Sequence, residues 1–309
     1  MLVSRLKING GKVKKTLIYS GSVKDVYKVE DGICEFDFTD KVSVFDKPIG
    51  NVIPGKGETL CDLACFWFDE VKNLNIGSHF IERTGPKTIR VKEVQIIRDY
   101  SKIIDGKTNH LIPLEFILRH YVAGSFHDRL LKGKIEPESL GVTEVPYGME
   151  LSEPYFETST KLESHDRLLS NEEALGIAKM EQERMVEIED ICIRIDDVVE
   201  EQLESSNLIH VDGKKEFGYD REGQLMIVDV FGTPDEDRYW DKSRFLENGE
   251  HIELSKEAVR THYRKTGYKE ELEAARKAKT EEPPIPEMPN NLVEEVSEIY
   301  KSIAKEILK

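Results

Sequence analysis

A hydrophobic stripe in the second half of the chain is its longest regular pattern and constrains the fold most. Ser170, followed three residues later by Glu173, has the form of a capping box and marks the start of this helical region. Apolar residues then recur at alternating steps of three and four, at Met185, Ile188, Cys192, Ile195 and Val199. This spacing predicts a long amphipathic helix whose stripe faces the protein core.

Short strand patterns fill the first part of the chain. The strings LIY, VYKV and ICEFDF alternate with turn residues between Thr16 and Phe45, and a further β pattern covers residues 80–97. Between these patterns, residues 59–74 have the three-four spacing of an amphipathic helix. The opening part is therefore expected to be rich in β-structure.

Polar and proline-rich segments divide the chain. Residues 98–110 are polar and contain a glycine, which predicts a loop or hairpin tip just before a lobe boundary. The expected lobes are a β-rich one over residues 1–113 and a larger one over residues 114–309. Residues 281–291 are proline-rich and predict a connector to a last amphipathic helix over residues 292–308.

Charge and cysteine content limit the partners. The 309 residues include 44 Lys and Arg against 60 Asp and Glu, and the net charge of −16 opposes binding to nucleic acid or anionic membranes. No segment has the pattern of a membrane helix or a signal peptide. Four cysteines are too few for a disulfide scaffold, and Cys61 and Cys65 fit buried thiols better than half a metal site. We expect a cytoplasmic protein without nucleic-acid or membrane partners.

Two extended runs around residues 220–223 predict a β-hairpin with charged residues on one face. If Lys214 lies opposite Asp229, then Glu216 and Asp212 project to the same side, because side chains in a strand alternate. Glu216 and Asp229 on neighbouring strands suit a Mg²⁺ ion that also binds water and substrate phosphates. The solvent-exposed face of an edge hairpin would have the same sequence pattern, so a Mg²⁺ site and a solvated face both stay open as interpretations.

Other glycine and basic residues in the chain are candidates for binding phosphate groups. Gly21 lies between two short strands, where its backbone can approach a phosphate while Lys24 reaches the oxygens, although an ordinary hairpin turn explains the same letters. Arg119 and Arg238 lie in apolar or turn contexts, and a buried arginine needs a partner such as phosphate or carboxylate. Lys56 in IPGKG fits a surface loop.

Seven strings together resemble a known family. They are GSVKDVY, FTDKVSVFD, IPGKGETLCDLACFWF, IPLEFILRHYVAGS, EPYFETSTKLESHD, VDGKKEFG and VDVFGTPDEDRYWD. In this order and spacing, over about residues 19–242, they resemble the SAICAR synthetases, the phosphoribosylaminoimidazole-succinocarboxamide synthases.

The resemblance implies a fold and a reaction. The fold would be α+β and two-lobed, related in shape to protein kinases and ATP-grasp enzymes, with ATP between a β-rich N-terminal lobe and a larger α+β C-terminal lobe. The reaction would be the ATP-dependent joining of L-aspartate to carboxyaminoimidazole ribonucleotide (CAIR), giving SAICAR, ADP and phosphate in de novo purine biosynthesis. The implied cofactor is Mg²⁺, the implied partners are these small molecules, and a homodimer is compatible with the family.

The resemblance also assigns site residues. The ATP-binding residues would be Gly21, Lys24, Lys161, Glu216 and Asp229. Two of them, Glu216 and Asp229, would hold the metal. The ribonucleotide phosphate would be bound by Arg119, Ser125 and Arg238. The catalytic residues would be Lys214 and Asp212, near the imidazole carboxylate and the aspartate, and Asp166, which we assign as the base that accepts the amine proton.

Departures from the family pattern leave two alternatives. Ser22 replaces a basic residue that is common in the first loop, Val230 replaces an acidic residue after Asp229, and residues 98–110 resemble an insertion. A small-molecule kinase of the same broad shape would share the carboxylates and lysines but would not depend on aspartate. A nucleotide-binding protein without catalysis would bind ATP and turn nothing over.

Overall fold

A computed structural model describes residues 15–104, 109–141, 144–163 and 165–309 of the chain. Helices and antiparallel sheets are both present, which confirms the expected α+β class. Part of the predicted loop at 98–110 falls outside the described residues; a single 3₁₀ turn, Tyr100–Lys102, precedes that part.

A five-stranded antiparallel sheet forms the first part of the molecule. Its elements and their neighbours are β1 (Thr16–Ser20), β2 (Lys24–Glu30), β3 (Ile33–Phe38), β4 (Lys41–Val44), β5 (Lys47–Val52), α1 (Lys56–Asn73), β6 (Phe80–Gly85) and β7 (Thr88–Lys92). The strand order is β1-β2-β3-β7-β6, while β4 and β5 pair separately. Because α1 buries its apolar face against this sheet, the predicted β-rich opening with one helix is confirmed.

A second sheet is built around one long strand. The elements are β8 (His110–Leu111), β9 (Leu114–Tyr121), α2 (Gly124–Leu131), β10 (Glu150–Thr160), α3 (Asn171–Ala178), α4 (Gln182–Leu203), β11 (Leu208–Tyr219), β12 (Leu225–Val228) and β13 (Arg238–Asp241). The main strand order is β10-β9-β11-β12, and β8 and β13 also pair with β11. Four strands, β8, β9, β12 and β13, therefore pair with β11.

The C-terminal region is helical. It contains α5 (Lys242–Asn248), α6 (Glu257–Lys265), α7 (Tyr268–Ala278) and α8 (Asn290–Ile307). The proline-rich connector and the last predicted helix are confirmed by the non-helical segment before α8 and by α8 itself. This last helix returns to the first part of the molecule and packs against α1. The lobe boundary at residue 113 stays a prediction.

The hydrophobic stripe is buried as predicted, but the helical region is interrupted. Ser170 and Glu173 form the expected capping box, which begins α3 and not the long helix. The chain then turns at Lys179, which has a left-handed φ of 55°, and the buried Met180 packs into the core. The stripe itself lies on α4 and faces the main core.

Two further expectations concern cysteines and membrane segments. Cys61 is buried in α1 and Cys65 half-buried beside it, as expected of core thiols. Within the described residues, no helix combines the length and the apolar character needed to cross a membrane.

Candidate active site

Two cavities share a lining residue: the larger lies between the two sheets, and the smaller is lined by the second sheet, the segment between β12 and β13 and the start of α6. The larger, of about 690 Å³, has Gly21, Lys24, Lys161, Glu216 and Asp229 in its wall. The smaller, of about 250 Å³, is lined by Asp166, Asp212, Lys214 and Arg238. Among the described residues, Glu236 is the one that lines both cavities. The residues that the sequence assigned to the nucleotide thus line the larger cavity, and of those assigned to the substrate Asp166, Asp212, Lys214 and Arg238 line the smaller one, whereas Arg119 and Ser125 line neither.

An apolar surface covers one side of the larger cavity. It is formed by Val26, Phe36, Val91, Leu111, Leu162 and Val228. A flat heteroaromatic ring fits such a surface, with the phosphates directed toward the charged end. No sequence pattern pointed to these residues, because they come from separate strands and a loop that only the fold brings together.

The first glycine loop lies over the charged end of the larger cavity. The Gly21 N–H donates to the Lys24 carbonyl at 3.0 Å, which closes a tight turn. A Cβ at Gly21 would lie 2.8 Å from the ring of the exposed Tyr19 and 3.2 Å from the Lys24 carbonyl, so a larger residue would require these groups to shift. The ammonium of Lys24, itself buried, pairs with Asp229. Ser22 carries no charge here, and its hydroxyl lies 2.8 Å from that of Ser43.

The predicted hairpin register is wrong by one residue. Glu216 pairs with Val228, so Lys214 does not lie opposite Asp229. The turn is longer than assumed because the Asp220 carboxylate accepts backbone N–H groups within it. Asp229 nevertheless reaches the cavity, since it follows the end of β12 and adopts a left-handed φ of 61°. The prediction that Asp212, Lys214 and Glu216 share one face of β11 is therefore correct. Asp229 reaches the same region for a different reason than the predicted strand pairing.

Lys214 is the centre of a cluster of carboxylates on β11 and its neighbours. Its Nζ lies 2.6 Å from Glu115, 3.5 Å from Glu216 and 3.1 Å from Glu236. Burial alone would lower the pKa of Lys214, but these carboxylates outweigh burial and raise the pKa well above its usual value. Lys214 is therefore a permanent ammonium at the junction of the cavities.

The two proposed metal ligands are each paired with a lysine. Glu216 contacts Lys161, and burial raises the Glu216 pKa although this lysine opposes the shift. Burial would also raise the pKa of Asp229, but Lys24 and Lys161 hold it below its usual value. Val230 is buried in the core and adds no charge here. Carboxylate oxygens are ligands that Mg²⁺ prefers, and Glu216 and Asp229 both face the larger cavity.

Sheet register brings the two arginines together. Asp212 on β11 pairs with Arg119 on β9 and with Arg238 on β13. Its carboxylate contacts both guanidinium groups, at 2.7 Å from Arg119. Arg238 also packs against Gly124, where a Cβ would lie 2.6 Å from its Nη2, and Ser125 follows in the first turn of α2. Arg119 and Arg238 therefore share one carboxylate partner, and of the three residues assigned to phosphate Arg238 lines the smaller cavity, while the side chain of Ser125 is exposed.

Asp166 lies on the wall of the smaller cavity. Although part of its side chain is exposed, burial and the neighbouring Glu115 raise the pKa of Asp166 to about 6, against the opposing effect of Lys214. A carboxyl with this pKa can exchange a proton near neutral pH.

Basic residues from the C-terminal region complete the smaller cavity. Ser255, Lys256 and Arg260 line it from the start of α6. No sequence motif pointed to these residues. The signal that was available is the i, i+4 spacing of Lys256 and Arg260, which places both charges on one helix face.

Comparisons with known proteins agree with this geometry. The model of the SAICAR synthetase family matches residues 17–275. A phosphoribosylaminoimidazole-succinocarboxamide synthase from Thermoplasma volcanium is 43% identical over 292 residues, which cover 94% of this chain and 98% of the relative. A putative enzyme of the same name from Archaeoglobus fulgidus is 32% identical and covers 93% of each chain.

Solved structures share the fold. The SAICAR synthase of Saccharomyces cerevisiae, complexed with SAICAR, superposes with a TM-score of 0.71 at 22% identity and covers 98% of both chains. A SAICAR synthetase in complex with ADP gives a TM-score of 0.66 at 24% identity, covering 94% of this chain and 96% of the other. The family match and the close relatives together show that this chain belongs to the SAICAR synthetase family and is an ATP-dependent ligase of purine biosynthesis.

Proposed function

We propose that the two cavities hold ATP and CAIR with L-aspartate, and that the junction between them is where the ligation takes place. The observation that carries this proposal is the shared wall at Glu236, beside the Lys214 ammonium. A phosphoryl group that leaves a nucleotide in the larger cavity meets an acceptor in the smaller one at this junction. The substrates are all anionic, and the local lysines and arginines offset the negative charge of the whole chain.

The nucleotide would lie with its base on the apolar surface and its phosphates toward Gly21 and Lys24. Glu216 and Asp229 would hold Mg²⁺, which neutralises charge on the transferred phosphoryl group when bound. Lys24 pairs with Asp229 and Lys161 with Glu216, and these ion pairs offset the cost of burying two acidic groups.

The ribonucleotide would place its 5′-phosphate on Arg119, Ser125 and Arg238. Both guanidinium groups now contact Asp212, so an entering phosphate would compete with that carboxylate. Lys256 and Arg260 line the same cavity, where Arg260 and Arg238 both contact Glu257, and they suit the two carboxylates of L-aspartate.

The ligation needs two steps, because a carboxylate is a poor electrophile. First, a carboxylate oxygen of CAIR attacks the γ-phosphorus of ATP, the bond from that phosphorus to ADP breaks, and an acyl phosphate forms. Second, the aspartate nitrogen attacks the acyl carbon, the carbon–oxygen bond to phosphate breaks, and phosphate leaves. Lys214 stabilises the negative charge in both steps, and Asp166 accepts the amine proton.

Aspartate-dependent ADP release is the test of this function. With Mg·ATP and CAIR, we expect the purified protein to release ADP when L-aspartate is present, together with an equal amount of SAICAR detected by mass. Release without aspartate, accompanied by a phosphorylated small molecule, would instead identify a kinase. Nucleotide binding without turnover would contradict the ligase assignment. A cytoplasmic address and a homodimer remain predictions.

The assigned base predicts a pH dependence. A base acts only when ionised, so activity is lost as the pH falls through the Asp166 pKa of about 6. We expect kcat to fall about tenfold between about pH 7 and pH 5. Asp166→Asn should lower the plateau and remove this acidic limb, whereas Asp31→Asn, at an exposed site on the β2–β3 turn, should retain it. An unchanged acidic limb in Asp166→Asn would assign the base elsewhere.

A further inference from the structure

The turn formed by residues 233–237 separates the two cavities. The N–H groups of Glu236 and Asp237 donate to the Thr233 carbonyl at 3.0 and 2.8 Å, which makes the turn tight. Glu236 projects from it to the junction, where its carboxylate lies 3.1 Å from the Lys214 Nζ. The position of this turn therefore decides where one partner of Lys214 lies.

The turn is anchored at Asp235, next to Glu236 in the sequence. The Asp235 carboxylate accepts a hydrogen bond from the Tyr300 hydroxyl at 2.5 Å, and its other oxygen lies 2.7 Å from the Lys56 ammonium in an ion pair. The side chains of Lys56 and Asp235 are almost completely buried, and Lys56 begins α1, so the expectation that Lys56 lies in a surface loop is wrong. Lys56 also donates to the carbonyl of Ser22 in the glycine loop at 3.2 Å. One buried carboxylate thus joins the turn to the glycine loop, to α1 and to the last helix, α8.

Asp237 fixes the other end of the turn. Its carboxylate contacts the buried His210 at 2.8 Å and accepts the Gly232 N–H at 3.0 Å. With both flanking aspartates held, Glu236 has little freedom to move except by displacing one of these anchors.

We propose that Tyr300 is a positioning residue for the ligation, which acts through Asp235 and Glu236 on Lys214. Removing its hydroxyl leaves one buried carboxylate oxygen without its donor, and the anchor can then shift toward Lys56. Because the turn is tight, a shift of Asp235 moves Glu236 as well. This inference gives α8 a part in the reaction, and it rests on the proposed function of Lys214 at the junction.

Two matched tyrosine variants test the proposal. Tyr300 and Tyr263 are both about 1% exposed, and each donates its hydroxyl to one acceptor at 2.5 Å, but Tyr263 binds the Pro286 carbonyl, away from the turn. Tyr300→Phe is expected to lower kcat about tenfold with the KM for ATP unchanged. Tyr263→Phe should lower the melting temperature by a similar amount and leave kcat within about twofold of the wild type.

A double variant tests the path. If Tyr300 acts through Glu236, then Tyr300→Phe should have little further effect on kcat when Glu236→Gln is already present, because coupled residues are not additive. Independent losses that add in the double variant would overturn the path. So would an unchanged kcat in either single variant, or an equal loss in Tyr263→Phe. These outcomes require an active wild type, whereas failure of the ligase assignment itself would appear as no aspartate-dependent turnover in the wild type.

Discussion

Lys214→Met is expected to lower kcat by about 10²–10³-fold, the usual cost of losing one preorganised group that stabilises charge in the transition state. The raised pKa keeps this lysine charged at every working pH, and its ammonium lies at the junction of the two cavities. Methionine has a similar length and no charge, so the change removes the electrostatic contribution with little loss of volume. Steady-state kinetics with saturating ATP, CAIR and L-aspartate measure the effect.

The control for this variant is an exposed lysine of α7. Lys277→Met removes the same charge outside both cavities and should leave kcat within about twofold of the wild type. ADP binding should be largely retained in Lys214→Met, because Lys24 and Lys161 lie on the nucleotide side. A kcat of Lys214→Met near that of the control would contradict the proposed role.

Lys215→Met is expected to lower the free energy of unfolding by about 3–5 kcal/mol, because it removes one partner of a fully buried ion pair. Lys215 lies next to Lys214 but projects to the other face of β11, where it pairs with Asp196 of α4. The Oδ2 atom of Asp196 also lies 3.0 Å from His120. Both members of the ion pair are about 1% exposed, so water cannot replace the lost ammonium. Urea unfolding followed by circular dichroism measures the loss.

At low pH, the free energies of unfolding of Lys215→Met and of the wild type should differ less than at neutral pH. Burial would raise the pKa of Asp196, but Lys215, His210 and His120 together outweigh burial and hold the pKa below its usual value, so the wild type loses this stabilisation as the pH falls. Without Lys215, burial favours the protonated carboxyl, and the variant gains relative to the wild type at low pH. Lys215→Met/Asp196→Asn should recover part of the loss at neutral pH. A loss below about 1 kcal/mol in the single variant would show that the pair is not a strong contributor.

Sequence patterns correctly predicted the features that depend only on residues close together in the sequence. The α4 stripe and the capping box follow from side-chain periodicity and from hydrogen bonds within one turn, so they are readable from the sequence. The hairpin register was wrong because the Asp220 side chain organises a longer turn than strand pairing alone requires. The helix break at Lys179 could not be predicted either. The left-handed conformation of Lys179 depends on how Met180 packs into the core, which is a tertiary contact.

The parts of the site that could not be predicted depend on tertiary structure. Lys256 and Arg260 reach the smaller cavity only because α6 packs beside the turn at residues 233–237, far away in the sequence. The apolar surface of the larger cavity is similarly assembled from several strands. Motif resemblance identified residues by analogy, and the fold then determined which of them share a space.

Strand β11 sets the distance between the two ends of the reaction. Asp212 at the arginine pair, Lys214 at the junction and Glu216 at the nucleotide cavity follow one another at intervals of two residues. At about 3.4 Å per residue, the first and last are separated by about 14 Å along the strand. A substrate that spans these points must have a matching length, so the enzyme selects ligands by reach as well as by charge. The strand can also accept no inserted residue, because a single insertion would turn one of these side chains into the core.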